Sequence, residues 1–166
     1  MPKSIDRLSK VAMVAAIAVF FSLVVLNNLT DYAANFTYVQ HIMSMDTVFP
    51  DNRLKWRAID HPTVHHVFFC SIIAWEMLTA GLCWVGVFHL SRTLNQEAVE
   101  FDAAKLYAVL GLTSSLLMWL FAFLGVGGEW FQMWQSKDWN GQPIAFQMFT
   151  ITSVVLLFLR QRDLPF

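Results

Sequence analysis

Charge is scarce in this chain and carries no net sign. Asp, Glu, Lys and Arg make up 14% of its 166 residues and nearly cancel, leaving a formal net charge of -1. The eleven Lys and Arg residues are scattered, which argues against the basic patch or stripe that a nucleic-acid surface needs. No nucleic-acid partner is expected. Cysteine is scarcer still. Cys70 and Cys83 fall in one apolar stretch, and as helical residues they stand about 20 Å apart, too far to bridge each other. Glycine and proline break no pair of helices in corresponding positions, and no inverted repeat is visible, so the usual marks of a transporter's substrate site are missing. Phosphate-loop spacing, a dinucleotide fingerprint and a nucleophile–base signature are missing as well. No catalytic residue is assigned, and the balance lies against an enzyme.

What is abundant is apolar surface. Hydrophobic residues make up 57% of the chain and aromatics 15%, and mean hydropathy is +0.50. Four apolar stretches run over approximately 11–25, 67–90, 106–126 and 144–159. A membrane-spanning helix needs about 20 mainly apolar residues, with roughly 17–25 usable. The second and third stretches meet that length. The first meets it once Leu26 to Leu29 are included, and the fourth needs Arg160 and Arg162 to reach back to the headgroups or the bilayer to thin. These patterns predict an all-α fold, a four-transmembrane-helix bundle in a lipid bilayer. Its spans lie at about 11–29, 64–90, 106–128 and 144–160 of a single integral membrane domain covering 1–166. Lys3, Arg7 and Lys10 before the first stretch suggest a signal peptide. The Asn27-Asn-Leu-Thr-Asp31 that follows offers no small-x-small cleavage pattern, so the expectation is a retained first helix.

Orientation follows the Lys/Arg bias of the loops. With both termini cytoplasmic, the inside holds Lys3, Arg7, Lys10, Arg92, Lys105, Arg160 and Arg162, and the outside holds Arg53, Lys55, Arg57 and Lys137, seven against four. The outer side is then the elaborate one. A connection over about 28–62 is too long for a simple link and carries Tyr32, Phe36, Tyr38, Ile42, Met43, Phe49 and Trp56, so an ordered, aromatic-rich first outer loop is expected. Asp51 is a candidate cap for a short helix there, and Asp60 with Pro62 marks the start of the second span. A turn is expected at Asn140-Gly141. The inner segment around 91–105 reads as polar and ordinary. Trp56, Trp130, Trp134 and Trp139 all fall on the outer side. An interfacial aromatic belt accounts for them, and so does a binding platform for a lipid, a quinone or a partner subunit.

Chemistry centres on Glu76, near the middle of the second span. A carboxylate there costs about 2.5–3.5 kcal/mol on insertion scales and must find donors, face the bundle interior or be protonated. Ser114 and Ser115 on the third span and Thr152 and Ser153 on the fourth stand at similar depth, which predicts a polar layer. His65, Ile72, Thr79, Ala80, Cys83 and Val87 share Glu76's face. His65 stands about 16 Å higher, a spacing that suits two stations on a water-linked path from the outer surface. Helix glue is the plainer role for Glu76, and Ala80, Gly81 and Gly86 also serve close helix approach.

None of the five histidines lies within the first, third or fourth span, so this chain alone is not expected to hold a transmembrane haem. His61, His65, His66, His41 and Glu129 are the outer candidates for a metal, but no tight ligand motif supports one. No cofactor or metal is expected. Pairing with an outer-loop arginine is the default for Glu129. The first outer loop lacks the cysteine pair of claudin-type proteins.

Several segments look familiar together: Asn27-Asn-Leu-Thr-Asp-Tyr32, Met43-Ser-Met-Asp-Thr-Val-Phe-Pro50, Trp56-Arg-Ala-Ile59, Ile73-Ala-Trp-Glu76, Gly127-Gly-Glu-Trp-Phe-Gln-Met-Trp-Gln-Ser136 and Trp139-Asn-Gly-Gln142. The chain resembles, from about residue 5 to 160, a bacterial family known only as predicted small integral membrane proteins of unknown function. The resemblance implies bacterial origin and the inner membrane, and it carries no catalytic residue to transfer. Three functions are compatible. The first is an accessory or assembly subunit docking a membrane or periplasmic partner through the aromatic face. The second is a small transporter or proton-coupled homo-oligomer using Glu76 and His65. The third is an enzyme or cofactor binder at the outer rim, using His65, His66 and Glu129.

Overall fold

The computed structural model describes residues 3–163, and every regular element in that range is helical. Helix α1 (Lys3–Thr30) is followed after Asp31 by α2 (Tyr32–Ser44). A long connection with one 3-10 turn (Lys55–Arg57) leads to α3 (Pro62–Arg92). The short α4 (Ala98–Ala103) precedes α5 (Leu106–Leu117), which runs on as a π-wound segment, Met118–Trp130. A second 3-10 turn (Met133–Gln135) then precedes α6 (Gln142–Arg160). Four helical stretches are long and apolar enough to cross a membrane: Ser4–Thr30, Pro62–Arg92, Ala98–Trp130 and Gln142–Arg160. At 19 residues, the last spans about 28 Å, close to the roughly 30 Å hydrocarbon thickness.

The outside of the bundle is as apolar as its inside. Leu23, Met77, Leu78, Phe88, Phe121, Phe146 and Leu157 are all exposed, while Glu76, Thr79, Ser115 and Thr152 are buried. A water-facing protein does not present so continuous an apolar exterior. In lipid it costs nothing, and helix association relies on close packing and interhelical hydrogen bonds instead. Both appear where α3 crosses α5. A Cβ on Gly86 would lie 2.5 Å from the Ala108 backbone nitrogen, and one on Gly111 would lie 2.6 Å from Cys83 Sγ. Of the small residues expected to serve this contact, Gly86 does so, whereas Gly81 faces open space. Thr79 and Ser114 join α3 to α5 at 2.8 Å, and Ser115 and Thr152 join α5 to α6 at 3.2 Å.

Two apolar cores result. The main one fills the bundle around Val14, Phe21, Cys83, Leu112, Trp119 and Val155. The second forms a cap at the end of the bundle away from the described termini. There α2 and the first connection lay Val39, Ile42, Met43, Met45 and Val48 against Phe69, Ile73, Phe131 and Met133. The cap depends on two sharp reversals, at Met45 (φ 50°) and Gln132 (φ 57°), both left-handed and neither glycine. Such conformations are uncommon outside glycine and asparagine, and Met45 holds one while buried.

Sequence expectations for the loops need three corrections. The 3-10 turn Lys55–Arg57 has no side-chain cap from Asp51; instead Asn52 Oδ1 accepts from the Leu54 N–H at 2.7 Å. Helix α3 starts at Pro62 with His61, not Asp60, in the capping position. The segment around 91–105 is not an ordinary polar loop, because α4 buries Phe101 completely beneath the bundle end.

Candidate functional site

Helix α3 presents a buried stripe of His65, Phe69, Ile73, Glu76, Ala80, Cys83 and Leu90 toward its neighbours. Glu76 is therefore inside because it continues an otherwise apolar face. On α1 the matching stripe is Arg7, Val14, Phe21 and Asn28, one residue per seven, which keeps all four on one side. Its last member meets Glu76: the Asn28 amide Nδ2 donates to the carboxylate at 2.7 Å. Glu76 is 4% exposed.

Glu76 and Asn28 lie on the wall of a cavity of about 260 Å³ at the seam between the two cores. The cap supplies Tyr38, Val39, Ile42 and Met43 from α2, together with Phe131 and Met133. The bundle supplies Phe69 and Ile72 from α3, and Trp119, Ala122, Phe123 and Val126 from the π segment. The void lies where the cap meets the bundle as a second packing unit, and the π-wound segment forms part of its wall. Such segments are uncommon in helices and recur at functional sites. The Trp119 indole N–H is buried without a hydrogen-bond partner. Outside the spans, burial pushes the Tyr38 phenol up to about 12. Its hydroxyl donates to Met133 Sδ at 3.4 Å and occupies the space that a side chain on Gly141 would need.

The four polar residues read as Glu76's layer sit elsewhere. Ser114 receives the Trp75 indole N–H at 3.0 Å and pairs with Thr79, while Ser115 pairs with Thr152. Ser153 is half-buried beside Thr152. His65 is off the cavity wall. Its Nε2 faces the Ile59 carbonyl at 2.5 Å, and buried Phe69 and Ile73 stand between it and Glu76 along the helix. Asn28 is the partner that sequence reading missed, and the seven-residue stripe through Arg7, Val14 and Phe21 was its signal.

The aromatics of the cap form a lid in which each indole packs on another ring. Trp139 stacks on His41 with centroids 4.4 Å apart, Trp134 meets Phe49 edge-on at 5.9 Å, and Trp56 meets Trp130 at 6.2 Å. The Arg57 guanidinium lies 4.7 Å over Trp130 and donates to the backbone carbonyls of Glu129 and Trp130, not to the Glu129 carboxylate. His66 is exposed, stacked 4.0 Å from Phe36 and bonded through Nδ1 to the Tyr32 hydroxyl at 2.8 Å. Among the described residues, no three His, Cys, Asp or Glu side chains converge as a metal site would require.

The opposite end is built from charge. Arg7 binds Asp163 through Nε at 2.8 Å and through Nη2, and donates to the carbonyls of Leu94 and Gln96 at 2.6 and 2.7 Å. Lys10 pairs with Asp6 at 2.7 Å, Lys105 pairs with Asp102 at 2.6 Å, and both lysines donate to the Gln161 carbonyl. All three cations are buried, and the Phe101 ring lies beneath Arg7 and Lys105.

With four candidate spans, an apolar exterior and this interior in place, the family comparison is decisive: the family model for predicted small integral membrane proteins, DUF2165, matches residues 6–162. The chain belongs to the DUF2165 family. The match takes in α1 to α6, the cap and the Glu76 cavity together. No curated protein and no solved structure shows detectable similarity to it.

Proposed function

We propose that this DUF2165 protein resides in the bacterial inner membrane with both termini cytoplasmic. There it binds a small amphiphilic molecule in the cavity under its aromatic lid, with Glu76 and Asn28 as the polar contact. One observation carries the reading: a buried carboxylate forms part of the wall of a cavity of about 260 Å³. A carboxyl group that only glued helices together would be packed round by them. An apolar pocket with a few convergent polar groups is the usual form of a small-molecule site. In a homo-oligomer the same carboxylate can exchange a bound molecule for a proton, which is the transporter form of this reading. The orientation rests on the seven-to-four Lys/Arg bias.

Docking of a membrane or periplasmic partner, as an accessory or assembly subunit, is the second reading. Its specific support is the lid surface, where Trp56 is 71% exposed and Phe49 is 50% exposed. It ranks below the cavity because the four tryptophans pack on rings of their own chain.

Native mass spectrometry of the protein extracted from its own membrane separates the two. The cavity reading expects a stoichiometric small mass on the wild type that disappears from Ala122→Phe, which fills the void. Foreign subunits that survive Ala122→Phe and are lost from Trp56→Ala, with no small mass, transfer the function to docking. Reporter fusions at the C-terminus and in the 45–61 segment test the orientation; an external C-terminus overturns it.

A further inference from the structure

We propose that the cavity's occupant is an organic cation, a small amine whose ammonium group sits against the Glu76 carboxylate while its apolar body fills the seam between the two cores. The proposal rests on the cavity reading and adds the chemical class of the ligand.

The first argument is charge balance. Two carboxylates are buried among the described residues, Asp163 and Glu76. Asp163 faces Arg7. Glu76 faces the amide of Asn28, and no Lys, Arg or His stands among the described residues of the cavity wall. A carboxylate removed from water is strongly disfavoured unless it is paired or takes up a proton. An ammonium group entering the cavity supplies the missing partner, whereas an anionic ligand would add a second unpaired charge beside the first.

The second argument is the lining. Tyr38, Phe68, Phe69, Trp119, Phe123 and Phe131 ring the void. Aromatic faces attract cations, most strongly when both are desolvated, and sites for ammonium ligands are built this way. A purely apolar ligand would be served equally well by aliphatic walls. The third argument is size. At about 260 Å³ the cavity falls just under the roughly 300–1,000 Å³ common for drug-sized ligands, which selects one ring or a short chain. Access runs through a neighbouring groove of about 530 Å³ that shares Met43, Phe68, Val126 and Phe131 with the cavity wall. Glu129 and Arg57 both line that groove, and the guanidinium is already engaged by Trp130.

The test uses full-length protein in nanodiscs of zwitterionic lipid near neutral pH, with fluorine-labelled 4-phenylbutylamine, 4-phenylbutan-1-ol and 4-phenylbutanoate. Binding is read by 19F NMR against empty nanodiscs. The three probes share a body and differ in the charge of the head. The expected result is that the amine binds at least tenfold tighter than the alcohol, the carboxylate probe does not bind, and Glu76→Gln removes the amine's advantage over the alcohol. Alcohol binding by that variant also shows that its cavity is intact. Should the variant fail to fold, the amine-to-alcohol ratio of the wild type decides alone. Equal binding of amine and alcohol, or an advantage that survives Glu76→Gln, overturns the cation assignment and leaves the cavity reading standing. If none of the three probes binds the wild type above empty nanodiscs, both fall together.

Discussion

The two ends of this bundle handle buried charge in opposite ways. At the end holding the described termini, Arg7, Lys10 and Lys105 each find an acidic partner, and the carbonyls of Leu94, Gln96 and Gln161 take up further donors. At the aromatic end, Glu76 has one amide and a void beside it. A buried ion pair costs several kcal/mol per ion in desolvation, and only good geometry with extra hydrogen bonds repays it. The charged end meets that condition and ties α1, the α3–α4 link and the segment after α6 into one unit. The aromatic end leaves the condition open, as the proposed binding site requires.

The comparison can be broken most forcefully at Arg7. Arg7→Ala removes the guanidinium hydrogen bonds to Asp163 and to the Leu94 and Gln96 carbonyls, so a loss of about 3 kcal/mol is expected, read as the shift in resistance to denaturant in detergent. Asp163→Ala in the same background should restore part of it. If Arg7→Ala is neutral, the charged end is not a lock.

Volume gives the next contrast. Ala108→Phe, pressed against Gly86, should cost at least the roughly 1–3 kcal/mol of an overpacked core. Ala122→Phe enters the cavity and should cost less than about 1 kcal/mol by the same measurement. Equal penalties would mean the seam is not open. Glu76→Gln should be milder still in stability, since the amide oxygen can accept from Asn28. A change below about 1 kcal/mol is expected, in contrast to the Arg7 variant.

The smallest effect concerns Tyr38. Its phenol is raised from 10.0 to about 12 by burial, so the fold favours the protonated form. That contribution is fully present below pH 10 and is lost as pH rises toward 12. Ultraviolet titration of wild type against Tyr38→Phe should show one phenolate missing only above the ordinary tyrosine range. A difference already complete at pH 10 would mean that the cap does not bury Tyr38.

Four spanning stretches were legible because the apolar runs are long enough to leave little alternative, and Glu76 stood out because charge is so rare inside them. Position along each stretch was legible too, and it put Ser114, Ser115, Thr152 and Ser153 at Glu76's level. Which way each side chain faces was not, because in lipid the outside of a helix is as apolar as the inside and the usual amphipathic contrast vanishes. Ser114 turned out to join α3 to α5, and Ser115 and Thr152 to join α5 to α6. Asn28 was hidden in a polar run that looks like the end of a span. The charged end was hidden for a different reason: Arg7, Lys10 and Lys105 read as cytoplasmic anchors, and only folding brings Asp163 and the Gln161 carbonyl to them.

The π winding of Met118–Trp130 makes the cavity a property of chain length as much as of composition. An α-helix that gains one residue without growing longer adopts such a turn. Removing a single residue between Met118 and Trp130 would let the turn relax to α geometry while the flanks keep their orientation, so the local widening would be lost although the side chains on either side of the cut were still present. Single-residue deletions, rather than alanine substitutions, are thus the mutations to which this pocket is most exposed.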